Sequence, residues 1–192
     1  MLLDRAVVGG LVRRFEPVNY LRTTPLAYRT TPLGMGLRKT RFASPTDRFT
    51  LLYIAQDLAT SIAEAVLRDR FEGSTTREIT LGEITAYGAT SVTATAPLRL
   101  LDLRGNGCFL LGVSTDIVGA KAQDEARSFS EAVYAQTDLD GILYASRLTR
   151  KACIAIYDRA VASKLQASAV VGLPMLADLV PSLVRLGVDL IT

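Results

Sequence analysis

The spacing of apolar and polar positions changes period several times along the chain. "LAYRTTP" (Leu26 to Pro32) reads as a short strand stopped by a turn, preceded by a helical or irregular lead-in over residues 1–20. "LGMGLRKTRFASPTDR" (Leu33 to Arg48) sets two glycines and a proline among basic residues and predicts a loop or hairpin excursion. "FTLLYIA" is aromatic and aliphatic enough for a buried strand. The period then becomes helical over "DLATSIAEAVLRDRF" (Asp57 to Phe71), where Asp57 is placed to cap the helix and Leu58, Ile62, Ala65 and Val66 form one stripe. Glu64 lies opposite the Leu58–Ile62–Val66 stripe, so periodicity alone predicts that it faces solvent.

Downstream, "REITLGEITAYG" and "TSVTATAPLRLLDL" hold strands rich in Thr, Ile and Val, and "RGNG" is a turn. "AQDEARSFSEAVYAQT" (Ala122 to Thr137) predicts a helix with Phe129 and Val133 inward. "DLDGILYASR" is a turn entering a strand, and "KACIAIYDRAVA" a strand passing into helix. From Ser163 onward, Gly172, Pro174 and Pro181 divide short helices. Strands and helices alternate without a regular βαβ rhythm, which predicts a mixed α+β domain and not a doubly wound sheet.

Composition narrows the chemistry. The 192 residues favour one domain, 1–192, and 49% hydrophobic with 21% charged residues is ordinary for a globular protein. No segment approaches the ~18 uninterrupted apolar residues of a membrane helix, and the N-terminus lacks a basic-then-apolar signal, so a cytoplasmic location is expected, with no membrane contact. There is no histidine, which excludes Ser-His and Cys-His triads and zincin sites. Cys108 and Cys153 have apolar neighbours and read as buried thiols. The acids are scattered, so no metal site is expected. Net charge is +3, but the first 50 residues carry nine basic against three acidic side chains, a bias suited to an anionic ligand. "GNGCFLLG" lacks the spacing of a dinucleotide fingerprint and reads as a turn. No aromatic-basic pattern argues for direct nucleic-acid binding.

Four segments stand out together: "YRTTP" with Arg29, "KTRFASP" with Arg41, "TLLYIAQDLATSIAEAVL" with Tyr53 and Glu64, and "LDGILYASR" with Ser146. In order and spacing they resemble the RES domain family, over a core of about 26–162, with 163–192 as a helical extension. The resemblance implies an α+β fold with mainly antiparallel sheets and surrounding helices, similar to ADP-ribosyltransferases. It implies a bacterial toxin that consumes NAD as substrate, without a prosthetic group, and with inorganic phosphate as a candidate co-substrate. It implies a partner, an Xre-like antitoxin that blocks the NAD cleft, in a hetero-oligomer. By this resemblance the first-strand arginine falls on Arg29, the arginine before an aromatic on Arg41, the strand tyrosine on Tyr53, the helix glutamate on Glu64 and the serine on Ser146. The "FASPTDR" continuation departs from the Asn-Pro-rich loop of many members.

These residue types suit that chemistry. Breaking the nicotinamide N-glycosidic bond builds positive charge on the ribose, and nicotinamide leaves without a general acid. A carboxylate (Glu64) stabilises that charge, arginines (Arg29, Arg41) hold phosphate oxygens, Tyr53 stacks or positions, and Ser146 orients by hydrogen bonding. Two other readings share these data. One is mono-ADP-ribosylation of a protein, and the other is a non-enzymatic basic interaction module.

Overall fold

The computed structural model describes residues 1–36 and 39–192. The protein is α+β, as expected. Its strands are β1 (Val12–Phe15), β2 (Tyr20–Pro25), β3 (Leu51–Ala55), β4 (Glu78–Thr80), β5 (Tyr87–Ala94), β6 (Leu98–Asp102), β7 (Gly141–Ala145), β8 (Ala152–Tyr157), β9 (Leu165–Ala167), β10 (Val171–Gly172) and β11 (Asp189–Ile191). Its helices are α1 (Arg5–Leu11), α2 (Leu58–Ile62), α3 (Leu81–Thr85), α4 (Gly107–Leu110), α5 (Asp116–Gly119), α6 (Asp124–Gln136), α7 (Asp158–Lys164) and α8 (Leu179–Arg185).

Nine strands form the main sheet in the order β1-β6-β7-β8-β3-β2-β5-β10, with β9 also paired to β5. Among the described residues, only the β6–β7 pairing in it is parallel. β11 and β4 make a separate parallel pair. Strand alternation divides the core. Leu51 and Ala55 of β3 join Tyr144, Ala155, Phe129 and Val133 on the face covered by α6. Leu52 and Ile54 join Leu143, Ile154, Ile156 and Val161 on the face covered by α7. A third cluster packs Leu58 and Ile62 of α2 against Ile79, Ile84, Leu179 and Leu183. β7 approaches β8 so closely that a Cβ on Gly141 would lie 2.2 Å from the Ala155 carbonyl oxygen. Among the described residues, no helix is long and apolar enough to cross a membrane.

Several local expectations are corrected. The strand expected over 26–32 lies upstream, at β2. Leu26–Tyr28 is a 3-10 turn, because Pro25 ends the extended run and the Leu26 N–H turns to the Ala86 carbonyl. The lead-in contains α1, capped by the Asp4 carboxylate, and then β1, which pairs with β6. The helix after Asp57 is shorter than expected. It runs as α2, continues as a π turn over Ala63–Leu67 and stops at Arg68, whose φ of 46° is left-handed. In "REITLGEITAYG" only the ends are extended. Between them Thr80 and Glu83 form a capping box that starts α3, as a Thr-x-x-Glu pattern should. Pro181 does not divide helices. It sits in the first turn of α8, where its missing N–H would have had no helical partner. The segment after Ser163 is more than helical: β9 and β10 extend the main sheet and β11 pairs with β4.

Candidate active site

The site is built at the end of β3 and β7, on the face covered by α6. Asp57 caps α2, its carboxylate accepting the Thr60 N–H at 2.8 Å, and this launches the helical segment that carries Glu64 two turns later. The π turn at Ala63–Leu67 adds a residue to that turn and re-aims its side chains. Glu64 is thereby turned away from bulk water. It is half-buried, and the Ser146 hydroxyl donates to its Oε1 at 2.6 Å. The expectation of a solvated Glu64 is corrected: the helix face opposite the apolar stripe meets the turn after β7.

Ser146 is fully buried. Its Oγ accepts the N–H groups of Leu148 and Thr149, both at 3.1 Å, so both lone pairs are occupied and its proton is directed to Glu64. The main chain at Ser146 is held on both sides, by the Lys151 carbonyl and the Arg150 N–H.

Arg41 lies in the loop between Lys39 and Phe49. Tyr53 holds that loop to β3: its hydroxyl accepts the Phe42 N–H at 3.1 Å and bonds the Thr40 hydroxyl at 2.9 Å. The Arg127 guanidinium of α6 donates to the carbonyls of Thr40 and Lys39. The Ser44 hydroxyl donates to Glu131 of the same helix at 2.5 Å. Burial pushes the Tyr53 phenol up to about 12, against the opposing pull of its hydrogen bonds, so it stays neutral. Its hydroxyl is committed to the Arg41 loop, and only the ring is left to meet a ligand.

Burial lowers the pKa of Arg41, while Tyr144, Glu64 and Tyr53 act to raise it. These groups therefore share one electrostatic environment. The Arg41 Nη1 is buried and has no hydrogen-bond partner among the described residues. A buried guanidinium donor left unpaired is costly, and an anionic oxygen is the acceptor that fits its planar fork.

Arg29 does not join this group. It is exposed, in the turn beyond the 3-10 segment, and pairs with none of the other four. The arginine carried by the strand is Arg22 of β2, whose guanidinium donates to the carbonyls of Pro32 and Gly34 at 2.6 and 2.5 Å. Sequence reading also passed over Tyr144. It is buried on the same face of β7 as Ser146, its ring stands edge-on to Phe42 at 5.1 Å, and its pKa is raised by burial first and then by Cys153 and Glu64. Its spacing of two from Ser146 was the available signal.

A cavity of about 750 Å³ lies along the flank of the Glu64 helix, lined by Thr60, Ala63, Leu67 and the Arg147–Thr149 turn, with Arg77, Lys151 and Arg185 at its rim. Glu64, Arg41 and Tyr53 do not line it. No cluster of three or more metal-ligating side chains occurs among the described residues.

Residues 11–175 match the family model of the RES domain. The chain belongs to the RES domain family. A relative from Sinorhizobium fredii, "Probable toxin y4kH", is 33% identical over 97 residues, spanning 50% of this chain and 76% of that protein. Among solved structures, the fold matches the crystal structure of the M. tuberculosis MbcT-MbcA toxin-antitoxin complex with a TM-score of 0.62. That match covers 88% of this chain and 92% of the other at 14% identity, so it speaks to the RES fold alone.

Proposed function

We propose that this RES domain protein is a toxin that destroys NAD by breaking the bond between nicotinamide and ribose. The observation that carries the reading is the buried, unpartnered Arg41 Nη1 in the same electrostatic environment as the Glu64–Ser146 pair. An unpaired guanidinium wants a phosphate oxygen, and a carboxylate held by Ser146 within its electrostatic reach suits the cation that forms on the ribose. In the step, the C1′–N bond breaks and its electron pair leaves with nicotinamide, which becomes neutral. Glu64 faces the developing oxocarbenium, and the Ser146 hydroxyl keeps the carboxylate aimed. Water or inorganic phosphate then bonds to C1′, giving ADP-ribose with release of a proton, or ADP-ribose 1″-phosphate. Arg41 holds the pyrophosphate or the incoming phosphate.

The RES family, the y4kH relative and the fold match to a toxin held in a toxin-antitoxin complex support this reading. They also support an antitoxin partner, for which an Xre-like protein covering the NAD cleft is our proposal. The test is release of free nicotinamide from NAD by purified protein, run with and without phosphate. No release in either condition would sink the proposal. ADP-ribose 1″-phosphate formed only when phosphate is present would assign phosphorolysis.

A further inference from the structure

We propose that Thr60 and Thr149 form a clasp that positions Glu64, a role that rests on the NAD-cleaving reading above. Thr60 and Glu64 sit one turn apart on the same helical segment, while Thr149 belongs to the turn between β7 and β8. The two threonine hydroxyls are 2.9 Å apart, the Thr149 N–H donates to Ser146 Oγ at 3.1 Å, and Ser146 donates to Glu64 at 2.6 Å. These contacts close a ring that leaves the helix at Thr60 and returns to it at Glu64.

The ring has a physical reason. A π turn is a rare, single-turn irregularity of a helix, and this one ends at a left-handed Arg68. The helix alone therefore does not fix Glu64. A threonine in a helix usually returns its hydroxyl to its own backbone. Thr60 is fully buried and spends its hydroxyl on another element instead. That tie holds the Thr149 amide in place. With the Leu148 amide it fills the acceptor side of Ser146, which leaves the serine proton only the Glu64 direction. Neither threonine touches the carboxylate, so both are positioning residues.

The experiment compares the full chain with Thr60→Val, Thr149→Val and the double variant, which remove hydroxyls and little volume. We expect kcat for NAD to fall about tenfold in each, as misplacement of a reacting group does, with KM within about twofold. The double variant should be no worse than either single, and Thr60→Ser should restore kcat. Wild-type kcat in either valine variant, losses that multiply in the double, or a serine variant as slow as the valine would each overturn the clasp. Should Thr60→Val fail to fold, Thr149→Ala carries the same expectation from the less buried side. Should the wild-type protein release no nicotinamide, the NAD reading fails. Hydrogen exchange then decides the clasp separately: Thr60→Val must speed exchange at the Leu148 and Thr149 amides, and unchanged exchange there would refute it.

Discussion

In the proposed reading, Glu64 and Arg41 carry function at no benefit to the fold. Glu64→Gln keeps size and can still accept from Ser146, but loses the charge. We expect nicotinamide release to fall by at least about 100-fold with an unchanged melting temperature. Arg41 is a half-buried cation with an unpaired donor, a local cost to stability. Arg41→Met should therefore melt at the same temperature as wild type or a few degrees higher, while KM for NAD rises about tenfold or more. Arg29, exposed and apart from the group, should tolerate alanine with less than about a threefold change in kcat/KM. Steady-state kinetics beside a thermal melt reads all three.

At the scale of elements, the site depends on how closely β7 lies on β8 and not on how α3 begins. Gly141 has no room for a Cβ against the Ala155 carbonyl, which is backbone and cannot rotate away. Gly141→Ala should cost about 2 kcal/mol or more in urea unfolding and displace the strand that carries Tyr144 and leads into Ser146. The Thr80–Glu83 capping box makes its side-chain hydrogen bonds within itself and to Arg70, and none to Glu64 or Ser146. Its loss in Thr80→Ala should cost about 1 kcal/mol and leave the kinetics untouched. The two variants separate strands that build the site from helices that only complete the core.

The whole molecule is tied together by its ends. Without residues 165–192, the edge of β5 and the cluster around Ile79 and Ile84 would be exposed. A chain ending at Lys164 is expected to be insoluble or to lack a cooperative melt. The other end is tied by Asp102 of β6. Its burial would raise its pKa, but hydrogen bonds from Arg104, and from Arg13 of β1, outweigh burial and hold it below the usual carboxylate range. A depressed folded pKa contributes stability above the unfolded value of about 3.9, and that contribution is lost as pH falls through the folded value. Both arginines are partly exposed, so the effect is modest. Asp102→Asn should flatten the decline in melting temperature below about pH 4 and leave its shape at neutral pH unchanged.

The sequence by itself determined what depends on neighbours a few residues away. The α+β class, β3, α6, β7 and β8, and the cap at Asp57 follow from local period and local hydrogen bonds. The family signature also brought Arg41, Tyr53, Glu64 and Ser146 into one reading. What only the tertiary structure decided is where those side chains go. Helical spacing placed Glu64 in solvent, because a wheel records the apolar stripe and not the element arriving on the other side. Its partner lies 82 residues away. The same limit moved the strand expected over 26–32 upstream to β2, which ends at Pro25, left Arg29 on the surface, and hid Tyr144 and the Thr60–Thr149 contact. Each depends on how segments distant in sequence come together, and a local pattern holds no record of which distant residue will supply the partner.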